Sequence, residues 1–306
     1  MNNIVIFFDY LIHKPRLILA VIWNYVGTIS SDTTFLKVMF RLHMGKKLDL
    51  ENPQTFSEKI QWLKLYDRNP EYTKMVDKYA VKDYVASVIG NEYIIPTIGV
   101  WNKAEDIDWD KLPNQFVLKC NHDSGGLVIC RDKNALDKEA AIKKLNKCLK
   151  RDYYKVWREW PYKNVPHRII AEIYIEPESD INDLPDYKFF CFNGEPKYCQ
   201  VITGRNKTMS IDFFDHDWNH QPFHEPKTYP FAEKEPKKPS QYNLMLDLAR
   251  KLAKGKAFSR IDFYQVREQV LFGEITFYPT TGIGGFDPEK YDLVFGKMIQ
   301  LPSLRK

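Results

Sequence analysis

Residues 258–264 and 269–277 are two runs in which apolar and polar side chains alternate, separated by a turn near residues 266–268. They read as a β-hairpin. In a symmetric hairpin Asp262 lies opposite Glu274, and Arg260 opposite Thr276. Side chains alternate along a strand, so these four share one face and Ile261, Phe263, Ile275 and Phe277 share the other. Two carboxylates in one cross-strand pair repel each other unless a cation sits between them. A hard divalent ion such as Mg²⁺, content with two carboxylates plus phosphate oxygens, suits that place. A solvated face of scattered charges is the plain alternative, and alternation alone leaves it open.

Residues 119–126, Lys-Cys-Asn-His-Asp-Ser-Gly-Gly, form a second candidate. A lysine ends a predicted strand, and the turn at Ser124, Gly125 and Gly126 can offer backbone N–H groups to a phosphate beside the Lys119 charge. Gly-Gly turns also join ordinary hairpins, and the chain has neither a Walker nor a Rossmann glycine pattern. Asp186 and Lys188 project from one face of another strand, continued inward by Phe190 and Phe192. That pair suits the rim of a cleft, and equally a surface ion pair. His216, His220 and His224 stand at i, i+4 and i+8, which on a helix would make a metal face. Pro222 and the prolines after it argue against a helix there. No HExxH, GxSxG or HRD signature is present.

These residues need a scaffold of hairpins and helices. Thr55 followed by Glu58 is a capping-box pattern, opening a helical stretch over 55–89 in two pieces split around Asn69-Pro70. Strands are expected at 115–120, 127–130, 168–175, 186–192, 196–202 and 209–214, with Asn193-Gly194 turning the hairpin at 186–202. Helices are expected at 137–150 and 240–254. Residues 222–239 hold five prolines and many charges, and read as a surface loop. Strands in hairpins with helices between them indicate an α+β architecture rather than a doubly wound parallel sheet.

A chain of 306 residues, 44% hydrophobic and 28% charged, is long enough for two lobes sharing a cleft. Its net charge of +5 suits an anionic substrate or a membrane surface, and is too small and evenly spread for nucleic acid. Cys120, Cys130, Cys148, Cys191 and Cys199 contain no CxxC pair, which fits reduced thiols in a cytosolic protein. Residues 4–8 are apolar, but Asp9 comes directly after them. Residues 17–31 are uncharged over 15 positions, short of the roughly 18–20 that span a bilayer. Lys14, Pro15 and Arg16 break the run on its near side, and no basic stretch precedes the first apolar residues at 4–8, so a signal peptide is not expected. The segment reads as a pair of helices packed on the body; the alternative is an interfacial helix on the cytoplasmic leaflet, with Trp23 and Tyr25 near the headgroups.

Several segments, in this order, resemble the TupA-like branch of the ATP-grasp superfamily, often encoded with capsule or cell-wall polysaccharide genes. They are Asn52-Pro-Gln-Thr-Phe-Ser-Glu-Lys59, Asp77-Lys-Tyr-Ala-Val-Lys82, Leu118-Lys-Cys-Asn-His122, Ile170-Ala-Glu172, Asp186-Tyr-Lys-Phe189, Ser259-Arg-Ile-Asp262 and Phe272-Gly-Glu-Ile-Thr276. The resemblance runs from about residue 48 to 302. It implies two α+β lobes clamping ATP between antiparallel sheets. The N-terminal helical region would cover 1–70 and the ATP-grasp region 71–306, its first lobe 71–180 and its second 181–306. By resemblance, Lys78 and Lys119 contact phosphates and the loop at Ser124, Gly125 and Gly126 closes over them. The backbone of Glu172, Ile173, Tyr174 and Ile175 meets adenine, and Asp186 binds ribose. Lys188 and Arg205 lie near the γ-phosphate and the acceptor carboxylate, Arg260 stabilises an acylphosphate, and Asp262 and Glu274 hold Mg²⁺. Two positions depart from the family pattern. Thr276 stands where many relatives have Asn, as a weaker metal ligand, and Asp123 stands where glycine is expected.

The activity this implies is ADP-forming ligation of a carboxylate to an amine through an acylphosphate. An amino acid or peptide would be joined to a uronic acid of a surface polysaccharide or its precursor. A sugar or polysaccharide kinase, or a glycosyltransferase using a nucleotide sugar, are the alternatives.

Overall fold

The computed structural model describes residues 15–177, 184–205, 208–225 and 229–303. Helices α1 (Pro15–Val26), α2 (Asp32–Met44), α3 (Phe56–Tyr66), α4 (Glu71–Val76) and α5 (Val81–Ile89) precede strand β1 (Thr97–Trp101). Then come β2 (Phe116–Cys120), β3 (Val128–Cys130), α6 (Lys138–Leu149), α7 (Tyr153–Trp157), β4 (Ile169–Ile173), β5 (Asp186–Phe192), β6 (Glu195–Thr203) and β7 (Ser210–Asp215). The chain ends with α8 (Tyr242–Ala253), β8 (Phe258–Val266), β9 (Gln269–Thr276) and α9 (Lys290–Met298). The strands make two sheets, in the orders β1-β4-β2-β3 and β7-β6-β5-β8-β9. Every ladder within them is antiparallel, so the architecture is the expected α+β.

The five-stranded sheet has two unlike faces because its strands alternate. On the back, Phe189, Val201 and Phe263 lie in one buried core with Met245, Leu248 and Leu252 of α8. At one end of the front, Phe190 and Phe258 stack edge-on against each other, and Phe56 of α3 meets Phe258 at 5.0 Å. Phe286 and Phe295 close this aromatic plug. Each buried ring contributes on the order of 2 kcal/mol, which fixes α3 and α9 on the sheet and leaves the rest of the front face to polar residues. The four-stranded sheet has its own core with α6, centred on Phe116, Leu118, Leu145 and Ile169.

Three expectations change. The helical stretch at 55–89 breaks twice rather than once: α3 keeps its capping box at Thr55 and Glu58, but Asp77 separates α4 from α5. The Asp77 carboxylate accepts from the amides of Tyr79 and Ala80 and from Asn121 Nδ2, a local alternative to the helical ladder. Residues 71–89 also do not pack with the first lobe alone, because Tyr72, Met75, Val81 and Val85 belong to the large core under the five-stranded sheet. The proline-rich stretch is not only surface: Phe223 is fully buried, and His224 exchanges two backbone hydrogen bonds with Asp287.

At the N-terminus, Ala20 of α1 packs with Phe35, Met39 and Phe40 of α2, so the segment does rest on the body. Its outer side is apolar: Leu19, Val21, Ile22, Tyr25 and Val26 are more than half exposed, and Ile29 is 96% exposed. The apolar run at 4–8 lies outside the described residues. Among the described residues no helix is long and apolar enough to cross a membrane.

Candidate active site

The hairpin brings Asp262 opposite Glu274 and Arg260 opposite Thr276, as the alternation predicts. It does so by a route that symmetry does not anticipate. Val266 pairs with Gln269 around a tight turn at Arg267-Glu268, and Phe263 pairs with Phe272. Between that pair and Asp262–Glu274 the ladder shifts by one residue at Gly273, a β-bulge. The bulge lets Phe272 turn into the core while Glu274, two residues on, faces the site. A Cβ at Gly273 would lie 3.1 Å from the Asp262 carbonyl oxygen and 3.2 Å from Tyr264 Cε2, so glycine suits the close approach.

One row runs straight across four strands: Gln200 on β6, Lys188 on β5, Asp262 on β8 and Glu274 on β9 are successive neighbours. Lys188 bonds Asp262 and, at 2.8 Å, Asp186. Arg260 sends Nε and Nη2 to Asp262 at 2.7 Å each, and Nη2 also to Glu274 at 2.9 Å and to Thr276 Oγ1 at 3.1 Å. Arg205 reaches Asp186 at 2.7 Å, and Lys78 stands 3.9 Å from Glu274. Lys78, Lys188, Arg205 and Arg260 thus stand against Asp186, Asp262 and Glu274, four cations to the three acids they pair with, and such a concentration of cations in a cleft draws in an anion such as polyphosphate. Burial opposes ionisation of Glu274, but Lys78, Arg260 and Lys188 overcome it and pull its carboxyl down to about 2. Burial opposes ionisation of Asp262 in the same way, and there it prevails over Arg260 and Lys188 and pushes the carboxyl up.

The cluster forms one end of a cavity of about 530 Å³ between the sheets. Its apolar part is lined by Ile95, Val117, Ile129, Ile173, Ile175 and Leu184, the kind of lining that takes an aromatic ring. Glu172 on β4 binds Lys119 at 2.6 Å and Lys82 at 2.7 Å. Burial works against its charge, yet the two lysines hold its carboxyl below the usual range. Sequence reasoning missed Lys82 as the second cation on Glu172, although it stands four residues after Lys78 in the segment from Asp77 to Lys82.

Asp123 resolves its own oddity. Its carboxylate is buried, accepts from the amides of Ser124 and Gly125, and is paired with Arg151 at 3.0 Å. The acid therefore faces its own loop and a cation rather than a phosphate. In this conformation the Ser124 and Gly125 amides are spoken for by Asp123, and Lys78 donates to the Asp123 carbonyl at 2.9 Å. Ser124 and Gly126 border the cavity. Gly126 has a packing reason of its own, since a Cβ there would lie 2.3 Å from Cys148 Sγ.

The histidine series makes no metal site. His220 bonds Asp212 at 2.9 Å, His224 stacks on Phe231 and His216 meets Asp217 at the surface. Among the described residues no group of three or more His, Cys, Asp or Glu side chains could share a metal ion. A Mg²⁺ ion at Asp262 and Glu274 would thus draw its remaining ligands from phosphates and water, as that ion commonly does. The donor set fits: two carboxylates and the Thr276 hydroxyl lie on one face, and Glu274 Oε2 stands 3.9 Å from Lys78. The cavity fits ATP as well. Asp186 Oδ1 is buried in its wall with no partner among the described residues, and a ribose hydroxyl would supply the missing donor.

Two antiparallel sheets closing on a cationic, acid-lined cleft with an apolar slot define a nucleotide clamp. The chain belongs to the TupA-like ATP-grasp family, whose model matches residues 58–300. ATP and Mg²⁺ are the cofactors of that family, and its chemistry is the activation of a carboxylate for attack by an amine. Similar solved structures include D-alanine–D-alanine ligase from Helicobacter pylori, at 14% identity and TM-score 0.42, over 80% of this chain and 69% of that one. The ATP complex of the Bacillus anthracis D-alanine–D-alanine ligase matches at 15% identity and TM-score 0.40, over 72% of this chain and 63% of that one. A RimK-domain ATP-grasp protein from Sphaerobacter thermophilus matches at 11% identity and TM-score 0.41, over 76% and 70%. The chain thus spans roughly two thirds of the length of these structures. No curated protein sequence matches it.

Proposed function

We propose that the protein is an ADP-forming carboxylate–amine ligase that joins an amino acid or short peptide to a uronic acid of a surface polysaccharide or its precursor. The observation that carries this is the row Lys188–Asp262–Glu274 with Arg260 across it, set at the end of a nucleotide-sized cleft. A carboxylate is a poor electrophile because its leaving group would be oxide. In the proposed reaction a carboxylate oxygen of the sugar acid attacks the γ-phosphorus of ATP, and the bond from that phosphorus to the ADP oxygen breaks. The amine nitrogen then attacks the acyl carbon, phosphate leaves, and the nitrogen sheds its proton to water. Lys188 and Arg260 are placed to hold the charge that shifts onto phosphate oxygens, and Asp186 to hold ribose. Bound Mg²⁺ would neutralise the β- and γ-phosphates. The uronic acid rests on the family's association with polysaccharide genes and on the positive balance of the chain.

Incubation with ATP, Mg²⁺, uronic-acid acceptors and pooled amino acids should release ADP only when both co-substrates are present. Release of AMP and pyrophosphate would sink the acylphosphate route, and phosphate retained on the glycan without an amine requirement would identify a kinase.

We further infer that the outer side of α1 meets an anionic membrane surface. Residues 15–47 carry Arg16, Lys37, Arg41, Lys46 and Lys47 against Asp32 alone, which complements anionic lipid beside an exposed apolar face. The protein should co-sediment with vesicles containing phosphatidylglycerol and not with pure phosphatidylcholine, and a Leu19→Ser/Ile22→Ser/Ile29→Ser variant should stay in the supernatant. Equal sedimentation of that variant, or a concentration-dependent dimer that the same changes abolish, would replace the membrane with another partner.

A further inference from the structure

The polar row across the sheet does not stop at the nucleotide. Its far member, Gln200, is 1% exposed and lies on β6 beside Lys188. Gln200 Nε2 donates to Glu225 Oε2 at 2.7 Å. Glu225 comes from the proline-rich segment, and its place is set by the two residues before it: Phe223 is fully buried and His224 is clamped to Asp287 by two backbone bonds. Three strand spacings, roughly 14 Å in all, separate Gln200 from Glu274. Glu274 borders the nucleotide cavity, whereas neither Gln200 nor Glu225 does. Glu274, Asp262 and Lys188 thus border the cavity and Gln200, the next member of the row, lies outside it.

The charges along this row are unevenly matched. Arg260 already has Asp262 and Glu274, and Lys188 already has Asp186 and Asp262. Neither needs Glu225 as a counter-ion. Among the described residues no Lys or Arg forms an ion pair with Glu225, which is held instead by the neutral Gln200 amide. Burial pushes the Glu225 carboxyl up, while Gln200, Arg260 and Lys188 counteract it. A carboxylate held by a buried amide, near the reacting cations yet with no ion pair to a Lys or Arg among the described residues, is chemically matched to one ligand class. That class is a protonated amine, a charged donor with the geometry to complete the acid's hydrogen bonds.

We propose that Glu225, oriented by Gln200, is the anchor for the ammonium group of the amine co-substrate, at the end of the row opposite the nucleotide, and that its carboxylate takes one proton from that ammonium so that the neutral nitrogen can attack the acyl carbon. This rests on the ligase reading above, and gives it an address for the second substrate. It also accounts for the buried root of the proline-rich segment: Phe223 and the His224–Asp287 bridge fix the acid on the sheet.

The test uses the full chain loaded with Mg²⁺ and the non-hydrolysable analogue AMP-PNP, titrated calorimetrically with each of the twenty amino acids. At least one should bind saturably, and its N-acetyl derivative, which lacks the ammonium, should not. Glu225→Gln keeps the shape and removes the charge. It should weaken the amine at least about thirtyfold while the AMP-PNP affinity stays within about twofold. Gln200→Leu should weaken the amine in the same sense by releasing Glu225. Amine affinity unchanged in Glu225→Gln, equal binding of the acetylated form, or no binding of any amino acid to the loaded wild type would each overturn the assignment. Failure of AMP-PNP itself to bind would instead bring down the nucleotide reading, so the two failures are told apart.

Discussion

Replacing Arg260 by methionine is expected to lower ADP release by about a thousandfold, the scale seen when a fixed cation or donor is removed from developing phosphate charge. The same change should destabilise the ligand-free protein by about 3 kcal/mol. The reason is the position of the guanidinium. Arg260 bonds Asp262 through two nitrogens and reaches Glu274 and Thr276 with one of them, so it is the cation between two cross-strand acids. Without it, Asp262 and Glu274 face each other with only Lys188 and Lys78 nearby. Magnesium chloride alone should then raise the melting temperature of the variant more than that of the wild type, because a divalent ion can take the place that the arginine fills. Arg260→Lys should recover little turnover, since an ammonium cannot reproduce the planar fork. Steady-state ADP release and thermal unfolding with and without Mg²⁺ check both halves. Turnover within tenfold of wild type would remove Arg260 from the chemistry.

That expectation depends on a pairing that alternation makes legible and a bulge that it does not. Period-two patterning places Asp262 and Glu274 on one face because Ile261, Phe263 and Ile275 must face the core. The bulge at Gly273 carries a weaker signal: an isolated glycine in a strand marks either a bulge or a close backbone approach, and the burial of Phe272 beside Phe263 shows that β9 switches faces there. Asp123 illustrates a second limit. Its neighbours in sequence suggest a phosphate loop with an intruding acid, whereas the partner that settles its orientation, Arg151, lies 28 residues away. Gln200 and Glu225 are silent in the sequence for the same reason, since only the sheet and the turn at Phe223 bring them together. The break at Asp77 is hidden by helical patterning on both sides and depends on Asn121, 44 residues on. The features that sequence carries well are local: the capping box at Thr55, the Asn193-Gly194 turn with both residues at positive φ, and the alternating hairpins.

Glu172→Gln should show opposite effects on stability and on nucleotide binding. In the ligand-free protein Glu172 is 4% exposed and neutralises Lys82 and Lys119 together. Removing its charge strands two largely buried ammonium groups, at a cost of about 3 kcal/mol. The two lysines then become unmatched cations, Lys119 on the nucleotide cavity, which Glu172 also borders, and Lys82 behind it. Polyphosphate is the anion that would compensate them, so Mg²⁺·AMP-PNP should restore most of the lost melting temperature and bind the variant at least as tightly as the wild type. The pH dependence comes from the depressed carboxyl of Glu172. A group whose folded pKa is lowered contributes stability above its unfolded value, about 4.3 for Glu, and loses it as pH falls through the folded value. The wild type should therefore shed this contribution on acidification below about pH 4.3, and Glu172→Gln should lack that part of the acid limb. Thermal unfolding from about pH 3 to neutrality, a range that brackets the carboxylate titration, measures the first effect, and AMP-PNP titrations at neutral pH measure the second. If Glu172→Gln lowers stability and nucleotide affinity alike, Glu172 acts by shaping the pocket for ATP rather than by holding the two lysines until phosphate arrives.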